Sequence, residues 1–321
     1  MIEFARAEPG EKLAVWLFTF ATALLATQGL ILAGVLDVGN ARQLAARGSL
    51  SGAIVGGCAF GAGMILARGC VSRLLVLSAG GNLRALLTGL VMAVTAQASL
   101  AGILSPLRAE ISGWWTVEGG SRELLSALGA SRIAGIAFGV LWLAAGVVVA
   151  LRRPAVSARA VVAAAAVGAT IAAGWWFTYA VSEQAMTAAA VPVQSLTFSG
   201  PSADLLMLVL SPPGRPWDFN IGLVPGVFLG ALAAAVLARE VKLEGFKDGQ
   251  SMRRYIAGAI LMGFGSMLAG GCAVGAGVTG ASVYSMTSWA TLASMWAAAA
   301  LTDALLDRPA AAQGAAANAA R

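Results

Sequence analysis

Cys70 and Cys272 each close a ten-residue stretch, and the two stretches lie 202 positions apart. The first reads GAGMILARGC from Gly61 and the second GFGSMLAGGC from Gly263, so both follow G-x-G-x-x-L-A-x-G-C. Gly56 and Gly258 match at the same offset. A thiol is a weak donor and a soft, polarizable group. Gly69 and Gly271, directly before the cysteines, permit a sharp turn and close backbone approach. A helix broken at such a turn leaves unpaired N–H groups and a positive dipole end at the start of its second half, which favour an anion. Two thiols and two helix starts facing one cavity suit a soft, sulfur-bearing anion. The thiols serve this best uncharged, because a thiolate would repel the anion and lose its donor hydrogen.

Two further residues are candidates for the same site. Cys58 lies twelve residues before Cys70, a rise of ~18 Å and about a third of a turn out of phase on a straight helix. It reaches the site only if the segment kinks or folds back; otherwise it is a small packing residue. Arg68 stands where the second copy has Gly270. It either attracts the anion or snorkels to the surface, and Arg73 and Arg84 read as interface anchors or an electropositive mouth. Gly52 with Gly56, and Gly57 with Gly61, are small-xxx-small pairs that let helices approach closely.

These residues need a membrane to sit in. Of 321 residues, 59% are hydrophobic and 11% charged, with a mean hydropathy of +0.81. Several segments exceed the ~18 apolar residues needed to cross a bilayer. Nothing suggests the alternating strands of a barrel. The reading is an all-α, polytopic membrane protein with about eight spanning helices plus short broken or re-entrant ones. Spans are expected near Leu13–Leu36, Ser51–Ala67, Ala85–Leu104, Ile133–Leu151, Ala160–Ser182, Phe219–Ala238, Tyr255–Ala269 and Met286–Leu306. Val193–Ser211 reads as a re-entrant or interfacial hairpin, with a short full span as the alternative, and Pro309–Arg321 as a frayed or weakly helical tail. Two internal repeats, about 13–106 and 219–306, form pseudo-symmetric halves of one transmembrane domain. Glycine-interrupted short segments at matching places in two halves are the sequence mark of a transporter site.

Charge sets orientation rather than nucleic-acid binding. With eight crossings, fifteen of the 21 basic residues fall on one side, which the positive-inside rule makes cytoplasmic, together with both termini. There is no histidine, so imidazole acid–base catalysis and imidazole metal ligation are excluded. The three cysteines are odd in number and lie in apolar sequence, so no disulfide framework is expected. No cofactor motif, metal motif or Walker A pattern is present, and no enzymatic activity is expected. Asp37, Glu183 and Asp303 lie near span ends and are expected to be solvated. Trp114-Trp115 and Trp175-Trp176 read as interface belts, and Gln97, Gln194 and Ser195 as weak ligand candidates.

The paired signatures, with Cys70 followed by VSRLL and Cys272 by AVGAG, resemble the YeeE/YedE sulfur-transport family from about Leu13 to Leu306. The resemblance implies uptake of thiosulfate or a related sulfur compound across a bacterial inner membrane. It implies that the cysteines at positions 70 and 272 hand the ion along by S–H···S contacts, without a covalent intermediate. Family members often work beside a small cytosolic sulfur-carrier protein. They carry a further functional cysteine near the N-terminal segment, whereas Leu13–Leu36 contains none. The resemblance also admits other sulfur or selenium species as cargo. Two other classes compete with this one. A Cu(I) transporter would use Cys with Met, but the spans carry almost no acidic residues and offer positive dipole ends. A membrane thiol redox protein would pair the cysteines, with no C-x-x-C motif in support.

Overall fold

The computed structural model describes residues 10–118, 123–152, 156–184, 191–212, 214, 217–245 and 249–307. The tail from Pro309 onward, Pro213, and the basic residues Arg6, Arg122, Arg153, Arg215, Lys247, Arg308 and Arg321 lie outside the described residues.

The chain is helical almost throughout. Its main helices are α1 (Glu11–Leu32), α2 (Leu50–Leu66), α3 (Val71–Ala79), α4 (Leu83–Ala101), α5 (Ser105–Gly113), α6 (Arg132–Arg152), α7 (Ala158–Gln184), α8 (Ser199–Leu210), α9 (Phe219–Leu237), α10 (Gly249–Ala269) and α11 (Met286–Thr302). A π-helical turn, Gly275–Gly280, stands between α10 and α11. The described residues also form a two-residue antiparallel ribbon, Gly48–Ser49 against Thr116–Val117.

Among the described residues, seven segments are long and apolar enough to cross a membrane: α1, α2 running on into α3, α4, α6, α7, α9, and α11 with the turn after it. The remaining expected span is α10, a 21-residue helix that carries Arg253 and Arg254 near its start. Helix ends follow local chemistry. Asn82 caps α4 by accepting from Ala85 N–H at 2.9 Å, and Asp218 caps α9 by accepting from Ile221 N–H at 2.8 Å. The first span stops at Leu32 rather than Leu36, because Gly34 turns left-handed (φ 70°).

Helices α2 and α10 pack against each other most extensively; α2 also packs on α11, and α10 on α4. The contacts are reciprocal at positions 202 apart. A Cβ at Gly56 would meet Gly265 O at 2.6 Å and Ala269 N at 2.5 Å; one at Gly258 would meet Gly63 O at 2.7 Å and Ala67 N at 2.6 Å. The two small-residue pairs of α2 serve different neighbours. Gly52 and Gly56 abut α10, and Gly57 and Gly61 abut α11. Helix α1 is clasped by α6 and α7, while α9 packs on α3 and α8.

Two expectations are corrected. Trp175 is not a belt residue: it is fully buried and donates its indole N–H to Ser282 Oγ at 3.3 Å, whereas Trp114, Trp115 and Trp176 are exposed. Its helical phase points it into the bundle, beside Ile171 of the same core. Asp303 is fully buried, the one buried residue of the π-helical turn Asp303–Asp307, on its protein-facing side, while Asp37 and Glu183 are exposed as expected.

Candidate functional site

Each signature copy ends a helix in the same way. At the end of α2, Arg68 adopts a left-handed conformation (φ 55°), Gly69 N–H donates to Met64 O at 3.0 Å, and Arg68 N–H to Ile65 O at 3.3 Å. These are the two bonds of a Schellman motif, which satisfies carbonyls left orphaned at a helix end. At the end of α10, Gly270 is left-handed (φ 78°) and Gly271 N–H donates to Ser266 O at 2.9 Å. The left-handed residue is therefore one position earlier than the glycine expected to make the turn. Gly271 serves close approach instead, since a Cβ there would meet Ala276 N at 2.8 Å. Gly69 has room, its nearest neighbour for such a Cβ being Arg73 Cδ at 3.4 Å.

After the first break, Cys70 is the N-cap of α3, in extended conformation with no side-chain cap bond. The first N–H groups of α3 thus have no partner inside the helix. The Cys70 sulfur lies 3.3 Å from Ser72 Oγ. After the second break, Cys272 is 1% exposed, and its sulfur accepts from Gly275 N–H at 3.5 Å as the chain enters the π-helical turn. Bonds of i→i+5 type widen this turn, with Thr279 N–H reaching Val274 O at 2.8 Å. Such π turns recur at functional sites.

All three cysteines are free thiols. Cys272 belongs to a buried cluster with Phe60, Met64, Phe198, Met262 and Met295, and Cys70 packs against that cluster. Cys58 does not join it. It is exposed on an unbroken α2, and its sulfur lies 4.0 Å from Ser294 O on α11. Arg68 and Arg73 are exposed beside the first break. Arg84 stacks its guanidinium over the Tyr255 ring at 4.6 Å, an anchoring contact between α4 and α10.

The sequence reading passed over Thr197, whose hydroxyl lies 3.9 Å from the Cys272 sulfur. It comes from an extended segment, 191–198, that runs through the interior. Distant hydroxyls satisfy this backbone: Thr178 Oγ1 accepts from Gln194 N–H at 3.1 Å, and Thr279 Oγ1 donates to Leu196 O at 2.6 Å. Ser195 donates to Ile171 O at 2.6 Å, a structural bond rather than a free ligand. The one sequence signal was the polar run TFSGPS inside an apolar stretch.

A cavity of about 550 Å³ opens among α3, α4, α8 and α9, with Val71, Leu74, Leu205 and Phe228 on its wall. Among the described residues, its polar lining is Ser78 and Ser202, and neither Cys70 nor Cys272 lines it. A wall of that kind offers an anion few polar partners.

Over 291 residues, 85% of this chain and 83% of the relative, the sequence is 28% identical to the thiosulfate transporter TsuA of Spirochaeta thermophila. It is 31% identical to the thiosulfate transporter TsuA of Escherichia coli over 100 residues, which span 31% of this chain and 28% of that protein. The family model described as sulphur transport matches residues 3–301. The chain belongs to the sulphur transport (YeeE/YedE) family, as a multi-pass α-helical membrane protein.

Proposed function

We infer that this protein takes up thiosulfate or a closely related sulfur anion across a bacterial inner membrane. The path is lined by the Cys70 and Cys272 thiols and by the helix starts that follow Gly69 and Gly271. The observation that carries this reading is the pair of matched helix breaks, each placing a cysteine in or against one buried cluster. The relatives named as thiosulfate transporters support the substrate class.

The terminal sulfur of thiosulfate is soft and meets the thiols. Its negative charge is offset by amide N–H groups rather than by a buried lysine or arginine. The two repeats, about 13–106 and 219–306, supply one break each, and α6 to α8 lie between them. Both termini are cytoplasmic, and a cytosolic sulfur-carrier protein receives the cargo. Arg68, exposed at the first break, adds positive charge to the mouth.

The test is growth on thiosulfate as sole sulfur source in a host lacking its own thiosulfate uptake. Expression of this chain restores growth; a folded, membrane-inserted protein that fails to do so contradicts the reading.

A further inference from the structure

The segment between the two repeats brings a hydroxyl-rich edge to Cys272. Thr197 touches the cysteine sulfur, and Phe198 sits in the same buried cluster as Cys272. Ser199 follows as the first residue of α8, a 12-residue helix with no side-chain cap. Its side chain is 1% exposed, and its Oγ has no hydrogen-bond partner. Other hydroxyls of this region are bonded, as Thr178, Ser195 and Thr279 show. An orphaned buried hydroxyl is unfavourable unless a partner arrives. The Ser199 and Gly200 N–H groups precede the first bond of α8, from Ser202 N–H to Phe198 O at 3.0 Å, so they have no partner within the helix and mark its positive dipole end.

We propose that Ser199 is a specificity-determining residue that donates its hydroxyl hydrogen to an oxygen of the sulfur anion held at Cys272. The proposal rests on the transport reading above and deepens it. Cys272 meets the soft sulfur end of the anion, Ser199 and the start of α8 meet its hard oxygens, and Thr197 holds the thiol between them. The site therefore selects anions that carry both a terminal sulfur and sulfonate-type oxygens. Hydrosulfide, which has no oxygen, gains nothing from Ser199.

The experiment measures radiolabelled thiosulfate uptake by proteoliposomes of the full chain and its Ser199→Ala variant, together with the Tm of each with and without thiosulfate. Loss of one hydroxyl donor to a charged ligand raises the KM about tenfold. The variant keeps a ligand-free Tm at or above that of the parent, because an unpartnered hydroxyl has been removed, and it loses most of the thiosulfate-induced Tm rise. A KM within twofold of the parent overturns the assignment and leaves the transport reading standing. A fall in ligand-free Tm that accounts for the lost uptake also overturns it, by making Ser199 structural. A parent protein that folds but takes up no thiosulfate overturns both readings.

Discussion

Arg68 holds a backbone conformation that Gly270 adopts at the matching place without a side-chain penalty. A left-handed residue with a Cβ costs roughly 1 kcal/mol, so Arg68→Gly raises stability toward unfolding by about that amount. A stability loss in denaturant titration of the purified variant would contradict this account of the break. Arg68 is also exposed, as its proposed place at the mouth requires. Cys58, outside the thiol cluster, predicts the opposite behaviour to its fellow cysteines: Cys58→Ala retains thiosulfate uptake within about twofold, its loss removing only a weak sulfur contact. Abolished uptake in a folded Cys58→Ala protein would draw that residue into the path. At this scale the sequence was informative about Cys70 and Cys272, because duplication marks them. It was silent on Thr197 and Ser199, which have no counterparts in a repeat.

The two cysteine breaks, alike in helix-ending geometry, differ in packing. A Cβ at position 271 would lie 2.8 Å from the Ala276 nitrogen, a backbone atom that cannot swing away, whereas one at position 69 meets the flexible Arg73 stem at 3.4 Å. Gly271→Ala therefore strains the entry to the π-helical turn and lowers both folded yield and uptake, while Gly69→Ala stays near the parent in both. Equal tolerance at the two sites, read by size-exclusion profile and uptake, would contradict the close approach. The spans were legible because hydropathy and length suffice to mark a membrane helix. The interior course of 191–198 was not, since its hydrogen bonds come from hydroxyls on α7 and on the π-helical turn. Trp175 and Asp303 were misjudged for a related reason: position along a span says nothing of which side faces protein.

Across the whole molecule, reciprocal packing at Gly56 and Gly258 gives the two signature helices equivalent roles about a common centre. The proposed orientation of that centre rests on the distribution of arginine and lysine. Lys242 follows α9 and Arg47 precedes α2, on opposite sides in the eight-crossing scheme. In a Cys58→Ala background that keeps uptake, a Lys242→Cys variant is labelled by an impermeant thiol reagent only in inside-out vesicles. An Arg47→Cys variant is labelled only from the outer face of intact cells, and labelling in the reverse sense would invert the protein. Neither measurement bears as directly on the central claim as uptake by the signature cysteines themselves. Proteoliposomes holding the parent protein should accumulate radiolabelled thiosulfate, and those holding Cys70→Ala or Cys272→Ala should fall to the level of empty vesicles with the protein still monodisperse. Uptake at the parent rate by both variants would contradict a path lined by the two thiols.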